Sequence, residues 1–315
     1  MSSKLGLLIQ GPFLSIGRGA KDYSLIPGEI GEIIKYDASK SVSKNIEKYS
    51  AIFDEIVIST WQDEKIPYEF HDFIKNYTNV SLKVFKKDKI KTSLPSKLIQ
   101  GFKVNNNQLL QYDGCYRGAL HFEDVEHVIR IRTDQEINLE KLISDCTNNP
   151  NKIIVPAIYQ SNGYYAIDDF YFAGPIEKFL SFAKISSQES FHPAPQINPL
   201  LSMLNNSDKT ILEKYWPGSL KFEEELSILI SKNFYPASQK IYFNLVWRGQ
   251  IASDKWRSDF KYKTYSENYN EKFLFNYFPP NYKNLDDFFF KKDVSFLHKL
   301  IRRIITKIIM YFRER

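Results

Sequence analysis

Apolar residues in this chain come in short dense runs separated by polar turns, and their spacing switches between two periods. Residues 5–10 read as a first, fully buried strand. Residues 39–53 carry Val42, Ile46, Tyr49 and Phe53 on one helical stripe, and 54–60 and 80–85 read as a second and a third strand. Strands that alternate with helical stretches are the opening of an α/β sheet. Residues 103–121 begin with Asn105, Asn106, Asn107 and Gln108, where asparagine caps free backbone N–H groups, and continue as a helix through Leu109, Tyr112, Tyr116 and Leu120. In the next strand Val128, Arg130 and Arg132 fall on one face, Ile129 and Ile131 on the other.

Further along, 152–158 is another strand, where Pro156 points to a sheet edge or a bulge. Within residues 164–174, Asp168 and Asp169 lead into an aromatic strand that ends at Gly174, and Pro175 opens a helix. A helix over 212–230 and a late strand over 241–247 follow, while 255–290 show no clear period. Between Gly11 and about Gly31 the pattern predicts a long loop.

The strand around Arg130 runs straight into Asp134 and Glu136, which share a side if the backbone stays extended. Two hard oxygen ligands at the carboxyl edge of an α/β sheet suit a divalent cation, Mg²⁺ or Mn²⁺, and that cation suits a diphosphate. The plainer reading is a buried strand followed by an acidic turn. Gln10, Gly11 and Pro12 end the first strand, a natural rest for a base or ribose. Thr60 and Trp61 end the second. No P-loop is present here, because Arg18 follows Gly17 where a lysine and a hydroxyl residue are needed. Arg117 and Gln108 either reach the sugar and diphosphate or belong to an ordinary amphipathic helix. Adjacent Asp168 and Asp169 are costly to bury without partners, so they are expected to face a site or water. Glu223 and Glu224 belong to a triple glutamate, either a solvated helix face or the source of a catalytic base.

Composition changes the picture at one place. The net charge of +6 resides in residues 291–315, which hold eight Lys and Arg against Asp293 and Glu314. A neutral body is not the docking face of a nucleic-acid binder. In this tail Phe296, Leu297, Leu300, Ile301, Ile304, Ile305, Ile308, Ile309 and Phe312 form an apolar stripe, with Lys299, Arg302, Arg303 and Lys307 opposite. Such a helix lies on a membrane surface or docks on the protein's own core. Cys115 and Cys146 show no metal-ligand spacing, and a cytoplasmic setting is the default.

Taken in order, residues 10–12 (Gln-Gly-Pro), 58–61 (Ile-Ser-Thr-Trp), 105–108, 130–135 (Arg-Ile-Arg-Thr-Asp-Gln) and 168–174 resemble the WavE-type lipopolysaccharide synthesis proteins, which look like bacterial glycosyltransferases of the GT-A kind. The likeness covers roughly residues 5–185. It implies a GT-A-like, Rossmann-like α/β domain with a mixed central sheet over 1–290, divided into a donor half to about 185 and an acceptor half from about 186. It implies Asp134 as the metal-binding acid, with Glu136 completing the pair where the commoner residue is aspartate. Asp168 or Asp169 matches the acidic position before the aromatic strand, as a sugar or acceptor contact. By geometry, Arg130 or Arg132 then contacts the diphosphate. The expectation is a glycosyltransferase on the inner face of the cytoplasmic membrane. It uses a nucleotide-diphospho-sugar and a saccharide or lipid-linked acceptor, with Asp169, Glu223 and Glu224 as candidate bases. The alternatives are a sugar-1-phosphate nucleotidyltransferase and a non-catalytic assembly protein.

Overall fold

The computed structural model describes residues 3–18, 33–87, 106–156, 158–161, 164–188, 196–214, 220–237 and 245–251. Its first half runs β1 (Leu5–Gln10), β2 (Leu14–Arg18), β3 (Ile33–Asp37), α1 (Ser39–Tyr49), β4 (Glu55–Trp61), α2 (Tyr68–Ile74), β5 (Val80–Phe85), α3 (Asn106–Ala119), β6 (His127–Arg132) and β7 (Gln135–Glu136). Then come α4 (Leu139–Asn148), β8 (Ile153–Val155), β9 (Ile158–Ser161), β10 (Tyr164–Ile167), β11 (Phe172–Pro175), α5 (Ile176–Gln188), α6 (Asn198–Ser207), α7 (Lys209–Lys214) and α8 (Leu220–Asn233). Short strands β12 (Phe234–Pro236), β13 (Val246–Trp247) and β14 (Gln250–Ile251) complete the described elements.

Seven strands build one mixed, mostly parallel sheet in the order β12-β8-β11-β6-β1-β4-β5. β1 lies parallel between β4 and β6, and β5 continues parallel beside β4. β11 alone runs antiparallel, between β6 and β8. The chain steps outward from β1 through β4 to β5, then returns to the far side of β1 as β6. That reversal is a topological switch point, and it opens a crevice beyond the carboxyl ends of β1 and β6.

Period-2 alternation sends the two faces of each central strand into different cores. Leu8, Val57 and Val128 pack with Tyr112 and Cys115 of α3, Phe179 and Phe182 of α5, and Phe222 of α8. Leu7, Ile9, Ile58, Ile129 and Ile131 pack on the other face with Val42 and Ile46 of α1 and Leu139 and Leu142 of α4. The alternation expected for β6 is therefore what the sheet uses.

Several expectations need correction. The loop after Gly11 contains a hairpin, with Leu14 paired to Asp37 and Arg18 to Ile33. Pro156 marks neither a sheet edge nor a bulge. It ends β8, after which β9 leaves to pair with β10, and β8 itself is interior because β12 lies beyond it. Of the helix over 212–230, the described residues belong to α7, which ends at Lys214, and to α8, which begins at Leu220. Of the strand over 241–247, Leu245, Val246 and Trp247 are described, and the last two form β13. The tail at 291–315 lies outside the described residues.

Candidate functional site

A cavity of about 330 Å³ opens at the carboxyl edge of the sheet, at the switch point. Its wall combines the ends of β1 (Gln10, Gly11, Pro12), β4 (Trp61) and β6 (Arg130, Arg132) with Asp134, Gln111 of α3, Ser15 of β2 and Arg248. Lys87, just past β5, adds a further cation.

The turn after β1 depends on Gly11. Its φ of +148° is one that side chains rarely adopt, and a Cβ there would meet Thr133 Oγ1 at 2.7 Å. That contact lets Thr133 donate its hydroxyl to the Pro12 carbonyl at 2.7 Å, which joins the β1 and β6 ends into one rim.

Arg130 is 1% exposed, deep beneath this rim. Its Nη2 donates to Gln10 Oε1 at 2.7 Å and its Nη1 to the Asp169 carbonyl at 2.8 Å. No carboxylate of the described residues forms an ion pair with it, and its Nε has no hydrogen-bond partner among them. A buried cation held by neutral groups is expensive unless an anion joins it.

Asp134 is also 1% exposed and fully engaged. Arg132 Nε donates to Oδ1 at 2.9 Å and Arg132 Nη2 to Oδ2 at 3.1 Å, a bidentate fork. Ser15 Oγ donates to Oδ2 at 2.6 Å and Trp247 Nε1 donates to it at 3.1 Å. Arg248 Nε lies 3.3 Å from the same oxygen. Burial alone would raise the Asp134 pKa, but Arg132, Arg248 and Ser15 together hold it down to about 2. Burial works against the charge on Arg132, and Asp134 more than offsets it and raises that pKa. Burial lowers the pKa of Arg248, as does Arg132 beside it.

Arg248 reaches Asp134 from a strained turn. Its φ is +50°, in the left-handed region, and its backbone N–H donates to the Asp134 carbonyl at 2.9 Å. Its Nε also donates to Ser15 Oγ at 2.8 Å, and its guanidinium stacks 4.4 Å from the Trp247 ring centroid. Strain at a non-glycine residue persists only where surrounding contacts over-determine it, and four such contacts meet here.

The extended backbone assumed for the acidic pair does not hold. Thr133 and Asp134 form a turn between β6 and β7, which sends the two carboxylates to different partners. Glu136 accepts from Ser41 at 3.1 Å and pairs with Lys44 at 3.2 Å, sharing no contact with Asp134. Among the described residues no group of three or more His, Cys, Asp or Glu is placed to hold a metal ion. The donor set therefore does not fit Mg²⁺ or Mn²⁺, because both Asp134 oxygens are already used and Glu136 is turned away.

Other expected site residues divide between the wall and elsewhere. Thr60 is buried next to Trp61, and its Oγ1 finds no partner among the described residues. Asp169 stands behind the wall rather than on it, where Gln111 Nε2 donates to its carboxylate at 3.2 Å and Gln196 Nε2 at 3.4 Å. Asp168 is buried and accepts from the Phe170 N–H at 3.3 Å, so neither acid faces water. Arg117 is spent on β5, donating to the Lys86 carbonyl at 3.0 Å, pairing with Asp113 at 3.3 Å and lying over the Phe85 ring. Glu224 lies on the outer face of α8, its side chain 49% exposed and paired with Lys221, not at the cavity. The side chains of Gln108 and Glu223 lie outside the described set.

No protein-family model matches this chain, and no curated protein sequence does. Among solved structures it is similar to 4-diphosphocytidyl-2C-methyl-D-erythritol synthase from Anaerococcus prevotii. That match has 10% identity and a TM-score of 0.37, and covers 82% of this chain and 94% of that one. HddC from Yersinia pseudotuberculosis matches at 11% identity and a TM-score of 0.36, over 83% and 100% of the two chains. At those TM-scores neither superposition bears on what the cavity does, and no match supports the WavE-type resemblance.

Sequence reasoning missed Ser15, Lys87, Gln111 and Arg248. For Arg248 a signal existed, since an aromatic strand end followed by Arg-Gly marks a tight turn.

Proposed function

We propose that this chain is a transferase acting on a nucleotide-activated sugar, with the phosphates of the nucleotide held in the cavity at the switch point. The observation that carries this reading is the charge of the wall. Arg130, Arg132, Arg248 and Lys87 line it, and among the described lining residues Asp134 is the only acid. A concave cationic site at the carboxyl edge of parallel strands suits a phosphate chain. Trp61 offers a planar surface for a base, and Gln10 an amide.

Glycosyl transfer is the reading we favour. The bond between the anomeric carbon and the diphosphate breaks, the acceptor hydroxyl takes the sugar and passes its proton to the departing diphosphate oxygen, and the arginines hold the nucleoside diphosphate as it leaves. The resemblance to WavE-type proteins adds a cell-surface polysaccharide acceptor. The tail at 291–315 would bring the enzyme to the inner leaflet, where a lipid-linked acceptor resides. Nucleotidyl transfer is a second reading, because the three arginines would hold the phosphates of a triphosphate as they would those of a nucleotide sugar, with Lys87, itself paired with Asp63 at 2.7 Å, at the far side of the wall.

The test is a panel assay with the full chain. UDP-, GDP- and CMP-sugars are each incubated with acceptor extract, and nucleoside triphosphates with sugar 1-phosphates. Release of nucleotide from a sugar donor, with sugar appearing on the acceptor, supports glycosyl transfer. Release of pyrophosphate from a triphosphate supports nucleotidyl transfer. Neither product in any combination contradicts both.

A further inference from the structure

Asp134 stands where a metal-binding acid is expected, yet its surroundings are those of an anion already neutralised. Four donors converge on it, Arg132 Nε and Nη2, Ser15 Oγ and Trp247 Nε1, and the Arg248 guanidinium makes an ion pair with it at 3.3 Å. A divalent cation demands free carboxylate oxygens, and two guanidiniums beside it would repel that cation. The same two guanidiniums lie on the cavity wall. Arg132 spends two of its three nitrogens on Asp134, while its side chain stays 23% exposed. Arg130 adds a buried cation whose contacts among the described residues are neutral oxygens, the Cys115 thiol and an aromatic ring.

We propose that this cavity takes the phosphate chain of its nucleotide without a divalent cation, with Arg132 and Arg248 carrying the charge that a metal on Asp134 would otherwise supply. Asp134 is then a positioning residue. It fixes the two guanidiniums side by side and blunts their repulsion, and it does not touch the ligand. The left-handed turn at Arg248 is the strain that delivers the second of them. Arginine suits this task because its planar fork binds one anion with two nitrogens and keeps further donors for another. The inference rests on the nucleotide reading above and specifies how that site manages charge.

Calorimetric titration of the full-length protein tests it, with inorganic pyrophosphate and UDP, GDP and CDP as probes, in EDTA and again in Mn²⁺. Binding in EDTA within about 3-fold of that in Mn²⁺ is the expected result. Arg132→Gln and Arg248→Asn are each expected to weaken it by about 10-fold or more. Asparagine tolerates the left-handed backbone, so Arg248→Asn removes the charge and leaves the turn intact. Arg248→Lys should recover part of the loss. Asp134→Asn gives the sharpest contrast. Loss of the carboxylate that sets Arg132 and Arg248 weakens binding by the same factor in EDTA and in Mn²⁺ on our account, whereas loss of a metal ligand would weaken it in Mn²⁺ alone. Binding that needs Mn²⁺ and disappears in Asp134→Asn overturns the inference and leaves the nucleotide reading standing. No binding of any probe under either condition contradicts that reading itself, and the inference falls with it.

Discussion

Arg130 is the residue on which the site's energetics turn. Enclosed charge costs free energy, and here the guanidinium recovers part of that cost from Gln10 Oε1 and the Asp169 carbonyl. Arg130→Met removes the cation and strands both acceptors. Stability should change by no more than about 1 kcal/mol in a denaturant melt, because the relieved burial of charge offsets the two stranded acceptors, and affinity for nucleotide should drop by at least about 10-fold. Asp134 makes a prediction of different sign in pH. Its folded pKa, about 2, lies below the ordinary 3.8, so its contribution is present above pH 4 and is lost as pH falls through 2. Linkage makes this about 2 kcal/mol. Melts of wild type and Asp134→Asn should therefore converge by that amount between pH 4 and pH 2. A constant gap across that window would mean that the arginine latch does not set the titration.

At the scale of elements, β6 was legible because strict alternation of Val, Ile and Arg leaves one register that buries the aliphatics. The helices α1 and α3 were legible for the corresponding helical reason. The hairpin β2–β3 was not. Leu14 and Ile16 point outward and are half exposed, so the strand shows no apolar face toward a core. Its value lies in Ser15, the inward residue that touches both Asp134 and Arg248. The pairing of Asp134 with Glu136 failed for a related reason, because a two-residue turn cancels the period that places alternate residues together. Tertiary contacts made that turn, through Arg248 and Trp247, more than a hundred residues away. Local sequence carries no trace of such a partner. Gly11 is the hinge of this rim. Gly11→Ala forces a strained φ and a clash with Thr133, and should cost about 1–3 kcal/mol in thermal or denaturant melts. A melt unchanged from wild type would show that the β1 turn relaxes freely.

Across the whole molecule, two aliphatic and aromatic cores on opposite faces of one sheet hold the switch point rigid, and the chemistry is confined to the rim. That division explains why fold class was easier to read than site. Core positions repeat with the period of their element, whereas rim residues come from β1, β2, β6, α3 and the turn at Arg248 with no common spacing. The sequence of the tail carries a prediction at this scale as well. Its apolar stripe and basic face predict that deleting 291–315 moves the protein from the membrane fraction to the soluble one. Unchanged partitioning in a flotation assay would leave the tail with some other role. No helix among the described residues is long and apolar enough to cross a membrane.

The central claim is that nucleotide phosphates bind at the carboxyl ends of β1 and β6. Hydrogen exchange of the full chain, with and without a saturating concentration of the nucleoside diphosphate that binds in the calorimetric titration, tests it most directly. Our account predicts slowed exchange at residues 10–15, 130–135 and 246–250, with the outer helix α8 unchanged. Protection centred on α8, with those three segments unaffected, would contradict it.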